Sequence, residues 1–159
     1  MTMRIHRRHF LTRRMAPLAL AAAGLSAAMA AMPKVPIQVF KSPSCGCCKD
    51  WVTHLEAHGF TVQVFDTGNT DARERFKMPL SLGSCHTGWV GGYAIEGHVP
   101  AKDILRLLKD KPRAIGLAVP GMPVGSPGMD GPDYGGRKDP YDVLLVLAGG
   151  KTRIWQSYR

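Results

Sequence analysis

The sequence predicts an α/β fold, with one central β-sheet flanked by helices in a single domain. Three stretches carry that expectation. Ile37 to Phe65 reads as strand, turn, helix and strand; Cys85 to Pro112 reads as a hairpin followed by a helix; Tyr141 to Tyr158 reads as a closing β-hairpin. A chain of 159 residues with 45% hydrophobic content is large enough to bury a core without disulfide staples. Its four cysteines are therefore free for chemistry.

Ile37-Gln38-Val39-Phe40 alternates apolar and polar side chains as a strand does. Ser42-Pro43-Ser44 breaks it, with Ser44 the better N-cap for the helix that follows. In that helix Cys48, Trp51, Val52 and Leu55 form one apolar stripe, and Gly59 ends it. Phe60 to Phe65 (FTVQVF) places β-branched residues at alternate positions of a second strand. Such a βαβ unit implies a parallel strand pair with a right-handed crossover. A cysteine pair at its strand-to-helix turn is the thioredoxin-like signature.

Thr70 to Phe76 reads as a short helix with Asp71 and Glu74 near its N-terminus, followed by Met78-Pro79. In thioredoxin-like folds a cis-proline faces the cysteine turn, and Pro79 is the residue to compare with it. Cys85 to Gly97 (CHTGWVGGYAIEG) reads as a hairpin turning at Gly91-Gly92. Pro100 opens a helix whose expected buried face is Ala101, Ile104, Leu105 and Leu108, and Pro112 stops it. Residues 117–140 hold five prolines and six glycines and lack periodicity, so they read as one long loop of a kind that is usually functional or disordered. Tyr141 to Leu147 and Lys151 to Tyr158 flank Gly149-Gly150 as the final hairpin. The chain has no internal repeat.

Residues 1–30 read as an export signal. They combine a basic start, an apolar stretch from about Met15 to Met29, and small residues at Ala28-Met29-Ala30. Arg7-Arg8-His9-Phe10-Leu11 resembles the twin-arginine export motif, an ordinary secretory leader being the alternative. The apolar stretch is short for a spanning helix, so no stable membrane insertion is expected once the leader is removed. The mature domain is then residues 31–159, and the expected compartment is the oxidising bacterial periplasm. The formal charge of +9 follows the same division. Five of the 21 basic residues and none of the 12 acidic ones lie in residues 1–30, which leaves the domain with a net charge of +4. No basic run with interleaved aromatics marks a nucleic-acid surface.

The chemistry centres on Ser44-Cys45-Gly46-Cys47-Cys48, with the fourth cysteine at Cys85 beside His86. Cys45 and Cys48 alone have the C-x-x-C spacing of a thiol-disulfide catalyst, in which helix N-terminal amides stabilise a thiolate. Cys47 complicates that reading, because a third sulfur diverts the disulfide into unproductive pairings. Thiolate and thioether ligands select copper(I), zinc or iron–sulfur centres, and zinc or iron–sulfur sites usually draw on more evenly spaced ligand pairs. A packed C-x-C-C favours bridging thiolates, as in multinuclear copper(I). Two ordinary disulfides are the bland alternative, supported by the even cysteine count. Against it, adjacent Cys47 and Cys48 can hardly pair without strain.

Further candidate ligands are less direct. Met122 and Met129 bracket the Pro/Gly loop and offer thioethers to copper(I), as ligands or at a copper entry. His86 and His98 offer neutral imidazoles. His54 and His58 have the i, i+4 spacing of a surface metal pair, although a solvated face accounts for them as well. Trp51 reads as core; Trp89 reads as core or as a shield over the metal.

SCGCC, SCHT, EGHVPA and GMPVGSPGM together resemble the exported copper-associated family, long catalogued only as a domain of unknown function, that includes the CopG-type periplasmic copper proteins. The resemblance runs from about Ile37 to Tyr158. It implies a thioredoxin-like fold that binds several copper ions through Cys45, Cys47, Cys48 and Cys85 and acts in copper resistance, with cycling between Cu(I) and Cu(II). Met122, Met129, His86 and His98 are carried as second-tier ligands. No catalytic residue is assigned, and a copper oxidoreductase, a copper metallochaperone working with a periplasmic copper-handling or redox partner, and a thiol-disulfide oxidoreductase stay open.

Overall fold

The computed structural model describes residues 33–159. The leader read over residues 1–30 lies outside the described residues. Seven strands form one sheet: β1 (Val35–Lys41), β2 (Phe60–Phe65), β3 (His86–Val90), β4 (Tyr93–Glu96), β5 (Gly116–Ala118), β6 (Tyr141–Val146) and β7 (Thr152–Tyr158). Three helices join them, α1 (Gly46–Ala57), α2 (Thr70–Arg75) and α3 (Ala101–Asp110). The spatial order is β2-β1-β3-β4-β5-β6-β7. β1 and β2 pair in parallel, as do β4 and β5, and every other neighbouring pair is antiparallel.

Side-chain alternation along the strands divides the interior in two. Ile37, Val39, Ile95, Leu117, Val143 and Leu145 pack with Trp51 and Leu55 of α1 and with Ala101, Ile104 and Leu107 of α3. A second cluster joins Ala72 of α2, Phe76 and Met78 to Ala94, Ala118 and Val146, with Phe40 and Trp89 against it. Trp89 stacks on Phe76 at 4.3 Å in this second cluster, so it is core and not a cover for the cysteines.

The β1-α1-β2 unit, the β3-β4 hairpin and the terminal β6-β7 pair match the sequence expectations. Gly91 and Gly92 take φ of 54° and 88° at the hairpin turn, a left-handed pair that other residues rarely adopt. Three details differ, and the isomer of Pro79, which the sequence leaves open, is settled. Cys45, not Ser44, is the N-cap of α1 and makes no side-chain cap bond; the Ser42 and Ser44 hydroxyls bond each other instead. The buried face of α3 includes Asp103 and Leu107, while Leu105 is 39% exposed. That face is rotated toward β7, where the Tyr158 hydroxyl donates to Asp103 and Arg106 lies over Trp155 at 3.8 Å. No peptide bond among the described residues is cis, Pro79 included. Finally, the start of the expected loop contains β5, too short at three residues to show a period.

β5 exists because Gly116 has no side chain. A Cβ there would sit 1.7 Å from the carbonyl oxygen of Ala94, its partner on β4. Beyond β5, residues 119–140 contain no strand and only a single short turn of helix at Pro132–Tyr134. The segment is nevertheless tied to itself. Gly125 N–H donates to Met129 O at 2.7 Å, Met129 N–H to Ser126 O at 2.8 Å, and Asp139 N–H to Val124 O at 2.8 Å. Among the described residues no helix is long and apolar enough to cross a membrane.

Gly116→Ala is expected to force β4 and β5 apart and to destabilise the domain by about 1–3 kcal/mol, the usual cost of overpacking. Denaturant unfolding checks this, and an unchanged midpoint contradicts the close approach.

Candidate metal centre

β1 ends at Lys41, and the Ser42-Pro43-Ser44 turn, closed by Cys45 N–H donating to Ser42 O at 3.1 Å, delivers the chain into α1. Cys45 therefore caps α1 and Cys47 and Cys48 occupy its first turn, Cys48 fully buried and the other two half-buried. Cys85 arrives from the far side of the sequence, because β3 runs antiparallel to β1 with His86 opposite Lys41. All four sulfurs lie within 4.8 Å of one another.

Within this cluster Cys45 and Cys48 are joined in a disulfide, and Cys47 and Cys85 are free thiols. Cys47 Sγ is 3.6 Å from Cys45 Sγ and 4.0 Å from Cys85 Sγ. The site thus has two chemical forms. With the disulfide closed it offers two thiols; opened by two electrons and two protons it offers four.

Two imidazoles complete the group. His86 Nε2 is 3.0 Å from the Gly97 carbonyl, and His98 Nδ1 is 2.9 Å from the Pro127 carbonyl. A carbonyl only accepts, so each of these nitrogens carries the proton and the other nitrogen of each ring presents a lone pair. Those lone pairs converge on one atom. His98 Nε2 is 3.2 Å and His86 Nδ1 3.4 Å from Cys85 Sγ. Preset tautomers, soft sulfur and buried imidazole nitrogen make a donor set suited to copper.

Burial sets the protonation of these groups. Desolvation, reinforced by the neighbouring Cys47, pushes the Cys85 thiol up to about 12, so at neutral pH it stays protonated until a cation displaces the proton. Burial, with His98 and buried Lys41 adding repulsion, holds His86 well below the ordinary histidine value. Burial lowers His98 too. Both rings are neutral at neutral pH, as metal ligation requires.

The loop after β5 closes over the cysteine helix. A Cβ on Gly128 would lie 2.7 Å from Cys47 O and from Trp51 N, so only glycine permits this backbone contact. Met129 is thereby buried beside the helix and accepts a hydrogen bond from the Tyr134 hydroxyl to its sulfur at 3.3 Å. Met122 is 51% exposed and next to Gly121, whose carbonyl accepts from the Ser84 hydroxyl one residue before Cys85. Trp51 is core, donating to Val99 O at 2.9 Å with its ring 4.2 Å from that of His86. His54 and His58 form no metal pair: His54 Nε2 accepts from Ala101 N–H at the start of α3, and His58 Nδ1 donates to His54 O.

Sequence reasoning missed the charged groups around the site. Lys41 is 2% exposed, with its ammonium 2.6 Å from Asp66 and bonded to Ser42 O. Glu96 is fully buried and paired with Arg73 at 2.8 Å. Glu96 stood only in the hairpin CHTGWVGGYAIEG and in EGHVPA, without a role; its place beside the apolar Ala94-Ile95 of that hairpin was the available signal, since a carboxylate inside a sheet needs a partner.

A mixed α/β domain with clustered cysteine and histidine donors defines a candidate metal-binding protein, and comparison with known proteins sharpens this. Residues 82–129 match the family described as a protein of unknown function, DUF411. The solved structure titled copper resistance protein copG, Form 2, is 45% identical, with a TM-score of 0.72, covering 79% of this chain and 99% of that chain. Form 1 gives 45% identity and a TM-score of 0.71, covering 79% and 98%. No curated protein sequence matches. The chain belongs to the DUF411 family that includes the copper resistance protein copG.

His54, His86 and His98 all have lowered values, His54 through burial and then repulsion from His58. A histidine depressed in the folded state takes up protons on unfolding, so its contribution is complete above the unfolded value near 6.5 and is lost as pH falls through the lower folded value. The chain without metal should therefore lose stability from about pH 7 to pH 5. His54→Gln, which keeps an acceptor for Ala101, should shallow the loss; denaturant midpoints across that range check both, and a flat profile contradicts the buried neutral rings.

Proposed function

We propose that this chain is an exported, periplasmic copper-binding protein of thioredoxin-like fold that holds several Cu(I) ions through bridging thiolates in the service of copper resistance. The observation that carries this reading is the convergence of four sulfurs within 4.8 Å, with two preset imidazole nitrogens aimed at one of them. Four reduced thiols packed so closely suit cations that share sulfur ligands, and soft sulfur selects Cu(I). Residues 1–30 supply the export signal, with a twin-arginine-like pair, and residues 31–159 the single metal-binding domain.

Each residue has a place in this reading. Cys45, Cys47, Cys48 and Cys85 supply the thiolates, and His86 and His98 the imidazole nitrogens. Met129 is the buried thioether against the cysteine helix, and Met122 the exposed one that meets arriving copper. Bound copper supplies the one-electron Cu(I)/Cu(II) couple. As a dithiol, Cys45 and Cys48 would also be a source of two electrons and two protons, released when their disulfide closes.

The closed Cys45–Cys48 disulfide favours a second reading, a thiol-disulfide oxidoreductase at the C-x-x-C turn. The two part on Cys47 and Cys85, dispensable to disulfide exchange and essential to a copper cluster. A metallochaperone differs from the first only in handing its copper to a partner.

Protein isolated without oxygen from copper-fed cells is expected to carry more than one copper per chain, and Cys85→Ser to lose most of it. One zinc per chain with copper ignored, or a mixed disulfide with a client protein trapped by Cys48→Ser that survives loss of Cys47 and Cys85, sinks the copper reading.

A further inference from the structure

The buried Glu96–Arg73 pair is not part of the donor set, yet its hydrogen bonds gather on Ser84 and Thr87, the residues on either side of Cys85 and His86. Glu96 Oε1 accepts from Arg73 Nε at 3.0 Å, Arg73 Nη2 at 2.8 Å and the Ser84 N–H at 2.7 Å. Its other oxygen accepts from the Thr87 hydroxyl at 2.6 Å. Arg73 Nη2 also donates to Ser84 O at 2.7 Å. Asn69 Nδ2 donates to Ser84 O and to Thr87 Oγ1, each at 3.2 Å. Both peptide groups flanking Ser84 are thus held by charge-assisted bonds, and the second of them is the peptide that enters Cys85.

The same carboxylate reaches the other half of the donor set through the chain. Glu96 is followed by Gly97 and His98; Gly97 N–H donates to His86 O at 3.0 Å, and Gly97 O fixes the His86 tautomer. Glu96 therefore cross-ties the segment carrying Cys85 and His86 to the segment carrying His98. Stability alone is a poor reason for such a pair, because a buried ion pair roughly offsets its own desolvation cost and an apolar pair of similar volume often serves better. A network with every acceptor satisfied is instead rigid. It also gives the six-residue α2 a task, since Asn69 is its N-cap and Arg73 stands in its last turn.

We infer that Glu96, with Arg73 and Asn69 from α2, is the positioning group that presets Cys85, His86 and His98 as a unit, independently of the cysteine turn on α1. The inference rests on the copper reading for the purpose of that unit but not for the clamp itself. Loss of Glu96 frees the Ser84 peptide, lets Cys85 Sγ drift from the two imidazole nitrogens, and leaves Cys45, Cys47 and Cys48 where they are.

The test compares Glu96→Gln with Asp103→Asn, a second buried carboxylate that bonds Tyr158 away from the cysteines. Amide hydrogen exchange of the full domain, before any metal is added, is expected to speed at Ser84 by about tenfold or more in Glu96→Gln only, as for a lost bond to a charged group. After loading with copper alone, the nitrogen contribution to the electron paramagnetic resonance spectrum of Cu(II) should fall in Glu96→Gln and persist in Asp103→Asn, with thiolate-bound Cu(I) retained in both. Wild-type exchange at Ser84, or an unchanged nitrogen signature in Glu96→Gln, overturns the inference. A wild-type chain that takes up no copper overturns the copper reading instead, while the exchange result still decides the clamp. Should Glu96→Gln fail to fold, Asn69→Ala removes a half-buried donor to the Ser84 carbonyl, and its nitrogen contribution to the Cu(II) spectrum should fall as well, persistence overturning the inference.

Discussion

Antiparallel pairing sets Lys41 of β1 opposite His86 of β3, and the candidate centre depends on that register. It brings the end of β1, where the chain turns into three cysteines, beside the start of β3, where the fourth cysteine and first histidine stand. A one-residue slip would turn Cys85 and His86 to opposite faces of the sheet. The register is held from both ends, by the β3-β4 hairpin with its Gly91-Gly92 turn and by the clamp on the Ser84 backbone. His98 then follows β4 directly, so one hairpin delivers three donors to a helix that supplies three more.

The local arrangement separates two kinds of donor. The α1 turn is a cluster of sulfurs, Cys45 and Cys48 joined in a disulfide and Cys47 Sγ 3.6 Å from Cys45 Sγ. The β3-β4 side is an imidazole pocket around one sulfur, with ring protons committed to backbone carbonyls and neutral rings enforced by burial. Thiolates favour Cu(I), and imidazole tolerates Cu(II) as well. Side by side, the two halves bring soft sulfur and imidazole nitrogen into one candidate metal centre. The loop contributes by covering: Gly128 lies on the cysteine helix and brings Met129 down with it, while Met122 stays exposed.

Much of this was legible in the residues. The βαβ unit announced itself through alternation in Ile37–Phe40 and Phe60–Phe65 and through the stripe of Cys48, Trp51 and Leu55, which is buried, although edge strand β2 buries only Phe60 and leaves Val64 exposed. The cysteine cluster was legible because sulfur spacing is chemistry written locally. What was hidden is what depends on distant partners. β5 is three residues long and exists through a close approach at Gly116 that no local pattern reveals. The rotation of α3 is set by Tyr158 and Trp155 about fifty residues away, so helical periodicity alone misassigned Leu105. Glu96 looked like an ordinary charged residue because its partner, Arg73, lies 23 positions earlier on another element. The Pro/Gly segment looked formless for a related reason: its order comes from hydrogen bonds within the segment and from the contact of Gly128 with α1.

The most direct measurement is a copper K-edge absorption spectrum on the fully reduced, copper-loaded chain with its metal content determined on the same sample. A thiolate-bridged centre gives Cu(I) with sulfur as the dominant ligand, a nitrogen contribution that disappears in a His86→Ala, His98→Ala double variant, and a copper–copper scattering path at more than one copper per chain. A single copper with no metal–metal path, or copper bound without sulfur, contradicts it.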